Sequence, residues 1–316
     1  RNTFVNTSQD QAVMHLLLSL QSPPGAVQEA MEVALNAGYR HVDCAYFYQN
    51  EAEIGAALQK KLGEGRLKRD ELYVVSKVSP VFLPNRSPGL PAFLKSLTML
   101  KLDYLDLYLM HSPMGFPQDQ SPTKSSSPSL FSWQAMEKLV DEGLVKSVGV
   151  SNFNVSQLER LLSVCRIKPA ANQVELHPYL TQSELVEYCK SKGIVLIAYS
   201  PFGCPALPCP VPLLENPTVK EIAQKHGKTS AQVLIRFHIQ RGIAAIPKSI
   251  TPARIVENAE VTGMASEPGA LFRSWRLAEN FCFLTIGTLE KFPFLFPVST
   301  EKREWTPKRK LLVFNS

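Results

Sequence analysis

No two cysteines in this 316-residue chain stand in Cys-x-x-Cys spacing. The six present, Cys44, Cys165, Cys189, Cys204, Cys209 and Cys282, are scattered, and no paired His/Cys spacing accompanies them. No metal site is therefore expected, and scattered thiols in a chain this long suit a reducing cytosol. The most apolar early run, Ala12–Leu20, carries His15 and is too short to span a bilayer. It also has neither a charged n-region nor a small-residue cleavage site, so a signal peptide is not expected. No Gly-x-Gly-x-x-Gly occurs, which argues against a Rossmann-type dinucleotide turn. No basic stripe with interleaved aromatics appears either. The formal net charge is +6, and residues 261–316 alone hold eight Lys/Arg against five Asp/Glu. Nucleic-acid binding is not expected from that distribution.

The rest of the chain has a strong rhythm. Hydrophobic residues make up 45% and charged residues 20%, proportions that allow a large globular core. Seven short apolar runs read as strands: 39–45, 72–78, 104–111, 146–152, 171–177, 193–200 and 242–249. Amphipathic segments lie between them, among them Val27–Ala37, Glu51–Leu62, Ser132–Asp141, Ser156–Val164, Gln182–Lys192 and Pro217–His226. Ser22 before Pro23 and Asn154 ahead of Ser156 look like helix caps. Such alternation predicts an α/β fold with a parallel sheet. A single-domain (β/α)8 TIM barrel is preferred over an open doubly wound sheet. It needs an eighth strand before the first helix, and Ala12–Leu20 is the one weak candidate. The barrel is expected over 12–261, with 262–316 a divergent C-terminal segment, and incompleteness is expected at strand one and the last helix.

Polar residues gather at the strands' C-terminal ends: Asp43, Lys77, His111, Ser151-Asn152, Gln173, His177, Tyr199-Ser200 and Lys248-Ser249. In a (β/α)8 barrel that end is the mouth, where active sites lie. Asp43 and Lys77 can neutralise each other in the interior. Tyr48 follows five residues after Asp43. A lysine ammonium beside it is expected to lower its pKa and make it a proton donor near neutral pH. His111 can hydrogen-bond a substrate oxygen. Each of these residues alone has an ordinary structural explanation, as an ion pair, a packed ring or a satisfied core histidine. Their coincidence at one mouth points to protonation of a carbonyl oxygen while hydride reaches its carbon.

Three long motifs carry a family resemblance. "GYRHVDCAYFYQNEAEIG", "GLVKSVGVSNFNVSQLERLL" and "IPKSITPARIVEN" resemble the aldo-keto reductases. "CAYFYQNE", "YLDLYLMHSPMGF" and "RFHIQRG" are similar to the aldose reductase and 1,5-anhydro-D-fructose reductase branch. The resemblance implies an NADP-dependent oxidoreductase that reduces aldehydes or ketones, with a catalytic set of Asp43, Tyr48, Lys77 and His111. It implies NADPH bound across the mouth. Ser151, Asn152 and Gln173 would hold the nicotinamide carboxamide and Tyr199 would stack on its ring, with Ser200 and Phe202 beside it. Lys248, Ser249, Thr251 and Arg254 would hold the 2′-phosphate, and Glu257 and Asn258 the adenine. Lys and Arg with nearby hydroxyls suit such a dianion. A small carbonyl substrate and a monomer are also implied.

The chain departs from the family in its pocket and its tail. Family tryptophans correspond here to Leu20, Ser79 and Ser112, which should widen the substrate pocket. The loop "CPALPCPVP" has no acid where the family often carries an aspartate over the pyrophosphate. After Val261 the expected closing helix is not legible. A non-catalytic NADPH-binding relative with a degraded pocket is the alternative reading.

Overall fold

The computed structural model describes residues 15–17, 23–78, 90–113, 130–203 and 211–261. Eight strands lie in it: β1 His15–Leu17, β2 His41–Asp43, β3 Tyr73–Val78, β4 Leu105–Met110, β5 Val145–Ser151, β6 Ala171–Glu175, β7 Val195–Tyr199 and β8 Ala244–Ala245. They form one sheet in sequence order, and every pairing is parallel. The helices are α1 Ala26–Asn36, α2 Glu51–Gly63, α3 Leu90–Leu100, α4 Leu130–Asp141, α5 Val155–Leu162, α6 Ser183–Ser191, α7 Pro217–His226, α8 Ser230–Gln240 and α9 Pro252–Ala259. This is the (β/α)8 architecture.

Side chains alternate between two hydrophobic layers, as the period of a strand dictates. Val74, Tyr108, Val148 and Leu196 pack in the large cluster shared with the helices. Their neighbours Val75, Leu107, Leu109 and Ile197, with Ala171 and Ile246, form a separate small cluster. The second cluster fills the inside of the barrel. Following each inward row two residues further reaches the mouth: Lys77 after Val75, His111 after Leu109, Gln173 after Ala171 and Tyr199 after Ile197.

Of the two expected gaps, strand one is present as a short element, and the closing helix expected after Val261 falls outside the described residues. β1 pairs with β2 over His15–Leu17, so part of the weak N-terminal run does supply the eighth strand. The helix following β8 is α9, which begins at Pro252, ahead of where the closing helix was sought. Proline at its first turn loses no helical hydrogen bond. Among the described residues no β8–β1 ladder is present; the first and last described helices are in contact instead. α9 packs on α1, and the Tyr39 hydroxyl donates to the Ile255 carbonyl at 2.9 Å.

The cap expected at Ser22 lies outside the described residues. α1 starts after Gly25, and its first amides are satisfied from another helix: Glu53 accepts from Gly25 N at 3.1 Å and Gln28 N at 3.3 Å. Asn154 does cap α5, accepting from Gln157 N at 2.9 Å in a reciprocal capping box. The remaining N-terminal residues, Leu20, Ser79, the 121–129 loop, most of "CPALPCPVP" and 262–316 are outside the described residues. No described helix is long and apolar enough to cross a membrane.

Candidate active site

β2 and β3 are hydrogen-bonded neighbours, which places Asp43 beside Lys77 with both side chains wholly buried. Lys77 Nζ pairs with Asp43 Oδ1 and donates to the Cys44 carbonyl at 3.0 Å. The other carboxylate oxygen accepts from Gln173 Nε2 at 2.7 Å. A buried ion pair is tolerable only when both members have such partners. Burial pushes Asp43 upward, against the charge of Lys77 and the bonds from Lys77 and Gln173. Desolvation is the largest influence and works to lower Lys77, but the Asp43 charge and hydrogen bond, together with the Tyr48 and Cys44 charges, raise it above its ordinary value and keep the ammonium protonated.

Tyr48 closes a 3-10 turn, Tyr46–Tyr48, between β2 and α2. Its ring centroid lies 5.1 Å from Lys77 Nζ and 5.8 Å from the His111 ring, which meets it edge-on at 83°. Asp43, Tyr48, Lys77 and His111 thus share one mouth. The expected direction of the phenol's pKa is corrected: burial raises it, and Lys77 only opposes that rise. Burial, with the Lys77 charge second, takes His111 down to about 3. His111 is a neutral imidazole at physiological pH, and Tyr48 a protonated phenol.

A second group borders this one. Ser151 Oγ and Asn152 N both donate to the Gln173 carbonyl, at 2.8 and 2.9 Å. Asn152 Nδ2 donates to the His111 carbonyl at 3.0 Å and to Ser151 Oγ at 3.2 Å, and its Oδ1 accepts from the Tyr199 hydroxyl at 2.9 Å. Asn152 has φ 63°, a left-handed conformation that asparagine tolerates better than most residues. Ser200 follows Tyr199 with φ 48°, turning the chain toward Phe202, which packs against Ile235, Ala245 and Val261.

The third group follows β8. Lys248, Thr251 and Arg254 are exposed, and Ser249 Oγ accepts from Thr251 N at 3.1 Å as the chain enters α9. Glu257 accepts from the Thr229 hydroxyl at 2.6 Å. Asn258 Oδ1 is buried with no hydrogen-bond partner among the described residues. The residues fit the NADPH that the resemblance implies: two cations and two hydroxyls for a phosphate, and an unpaired buried acceptor for an adenine amino group. β8 ends at Ala245, so Lys248 and Ser249 lie in the segment after the strand and not at its end.

Three features of this region are not legible in the sequence. Phe47 is 43% exposed and stands edge-on to His111, with centroids 6.4 Å apart. It stands between two half-buried tyrosines, Tyr46 and Tyr48. Glu51 is buried and accepts from Ser76 Oγ at 2.7 Å and Ser96 Oγ at 2.8 Å, with burial raising its pKa. Ser76 precedes Lys77, so Glu51 braces the strand that carries the ammonium. The third is the contact of Gln173 with Asp43, 130 residues apart.

Comparison with known proteins places this geometry. Residues 17–265 match the Aldo/keto reductase family. The chain is 44% identical over 283 residues to aldo-keto reductase family 1 member A1-A of Danio rerio, covering 84% of this chain and 87% of that protein. The aldose reductase structure from Schistosoma japonicum superposes with a TM-score of 0.73 at 40% identity, covering 93% of this chain and 96% of that one. A Bombyx mori aldo-keto reductase solved in complex with NADP gives 0.75 at 35% identity, covering 85% and 88%. Fold, sequence identity and matched length agree, and the chain belongs to the aldo/keto reductase family.

Proposed function

We propose that Tyr48 is the proton donor in an NADPH-dependent reduction of aldehyde and ketone carbonyls at this mouth. The observation that carries the reading is the wholly buried Asp43–Lys77 pair with its ammonium 5.1 Å from the Tyr48 ring. Bound cofactor supplies hydride to the carbonyl carbon. Tyr48 gives its proton to the carbonyl oxygen as negative charge grows there. Lys77 stabilises the phenolate left behind, and Asp43 keeps Lys77 charged. His111, being neutral, orients the carbonyl oxygen by hydrogen bonding without competing as an acid. Ser151, Asn152 and Gln173 hold the nicotinamide amide and Tyr199 its ring, with Ser200 and Phe202 shaping the turn beyond. Lys248, Ser249, Thr251 and Arg254 take the phosphate, and Glu257 and Asn258 the adenine.

An aldehyde is the substrate class best supported, through the likeness to the aldose reductase from Schistosoma japonicum. The likeness to anhydrofructose reductase rests on three short segments alone. A monomer in the cytosol is in keeping with the family, and Cys44, Cys165 and Cys189 are free thiols.

The test is Tyr48→Phe. NADPH oxidation with a panel of aldehydes should be lost, by about 100-fold or more, while quenching of protein fluorescence by NADPH persists. A variant that keeps its turnover rules out Tyr48 as the acid.

A further inference from the structure

The two oxygens of the Asp43 carboxylate are held from different parts of the barrel. Lys77, on the adjacent strand, takes Oδ1. Gln173 takes Oδ2 at 2.7 Å, and it stands on β6, four strands away from β2 in the sheet order. In a ring of eight strands those two positions face each other, so the Gln173 side chain crosses the mouth. Its backbone carbonyl meanwhile accepts from Ser151 Oγ and Asn152 N. Asn152 continues the chain of bonds to Tyr199 and to the His111 carbonyl. Gln173 is therefore the joint between the group around Tyr199 and the pair that serves Tyr48.

We propose that Gln173 is a positioning residue for proton transfer: its amide holds the Asp43 carboxylate ionised and aimed at Lys77, and so keeps the ammonium charged beside Tyr48. The inference rests on the reading of Tyr48 as proton donor. It adds a second duty to a residue otherwise expected only to touch the nicotinamide carboxamide. The two duties use different ends of one amide. The Nε2 group donates to Asp43, which leaves Oε1 to accept from the carboxamide.

A hydrogen bond to a carboxylate favours its charged form. Asp43 is fully buried, and burial acts to protonate it; Lys77 and Gln173 oppose that. The other titratable groups coupled to this pair are the Tyr48 phenol and the Cys44 thiol, which burial keeps protonated, the His111 imidazole, which burial and the Lys77 charge keep neutral, and Glu51 beyond Cys44. None of these donates a hydrogen bond to Asp43 Oδ2. Without the Gln173 amide, Asp43 would take up a proton at a higher pH, and Lys77 would lose its counter-charge there.

Gln173→Met keeps the length of the side chain and removes the donor. The acid limb of its kcat–pH profile at saturating NADPH should move up by about one to two pH units, the equivalent of one hydrogen bond to a charged group. Gln173→Glu supplies a donor only while its carboxyl is protonated, so its kcat should rise toward acid and fall as pH increases through neutrality. If Gln173 serves the cofactor alone, Gln173→Met will raise the KM for NADPH and leave the kcat–pH profile superimposed on the wild type, and the proposal is overturned. Should Gln173→Met fail to fold, Gln173→Glu decides the matter, since a profile parallel to the wild type overturns it equally. Tyr48→Phe run alongside separates the two ideas. Retained turnover there removes the proton-donor reading, whereas an inactive Tyr48→Phe with an unshifted Gln173→Met removes only the role of Gln173.

Discussion

Lys77 Nζ lies 5.1 Å from the centre of the Tyr48 ring, fixed by Asp43 on one side and the Cys44 carbonyl on the other. A cation anchored there favours phenolate over phenol. Tyr48 becomes phenolate only as its proton leaves, so the interaction is stronger in the transition state than before it. That is the condition for raising kcat and not merely tightening binding. It also reconciles a raised phenol pKa with an acid catalyst: burial keeps the proton on Tyr48 until the substrate oxygen accumulates charge.

Lys77→Met should therefore lower kcat by about 100-fold to 10,000-fold. It strands the Asp43 carboxylate as well, so the melting temperature should fall. Single-turnover oxidation of prebound NADPH reads the chemical step directly. A rate within a few-fold of wild type would show that Tyr48 works without its cation.

His111 gives a prediction in pH. Its folded-state pKa is about 3, lowered chiefly by burial, against about 6.5 for an unfolded histidine. The unfolded chain thus binds more protons than the folded one between those values, and stability is lost as pH falls through that window. His111→Gln should flatten the acid side of a melting-temperature profile below about pH 6.5. It keeps a neutral donor, so part of the turnover should survive, and in the wild type kcat should show no inflection from His111 between about pH 5 and 8. A histidine-dependent inflection near neutrality would contradict the neutral imidazole.

Much of this is readable in the sequence. β2 to β7 fall inside the expected apolar runs, but for Val145 at the start of β5, because strands covered on both faces leave an unbroken signal. β8 shrinks to Ala244–Ala245 within an expected 242–249, since Pro247 has no amide to give a ladder. α8 was not among the expected helices. Gln232 through His238 are all buried in it, polar side chains included, so residue type is a poor guide to which face is covered. Asp43, Lys77, His111 and Gln173 were legible as strand ends with a shared facing. The tie from Gln173 to Asp43 was not, because it depends on the curvature that brings β6 across from β2. The direction of the Tyr48 pKa was misjudged because charge can be read from residue types, whereas depth of burial cannot.

The brace between α2 and α3 sets a prediction on stability. Gly55 lies in α2, and a Cβ there would come within 2.2 Å of the Met99 carbonyl oxygen and 2.9 Å of the Leu100 backbone. Both are backbone atoms of α3, so no side chain can swing aside. Gly63, at the other end of the same helix, would place a Cβ in open space. In a helix, alanine is favoured over glycine by about 1 kcal/mol. Gly63→Ala should therefore hold or raise the melting temperature. Gly55→Ala should lower it, because overpacking of about 1–3 kcal/mol outweighs the gain in propensity. The displacement should also reach the site, since Glu51 at the start of α2 is bonded to Ser96 of α3 and to Ser76 beside Lys77. Scanning calorimetry of the two variants side by side checks the sign. Equal shifts in both would mean that the close approach of α2 to α3 does not constrain the fold.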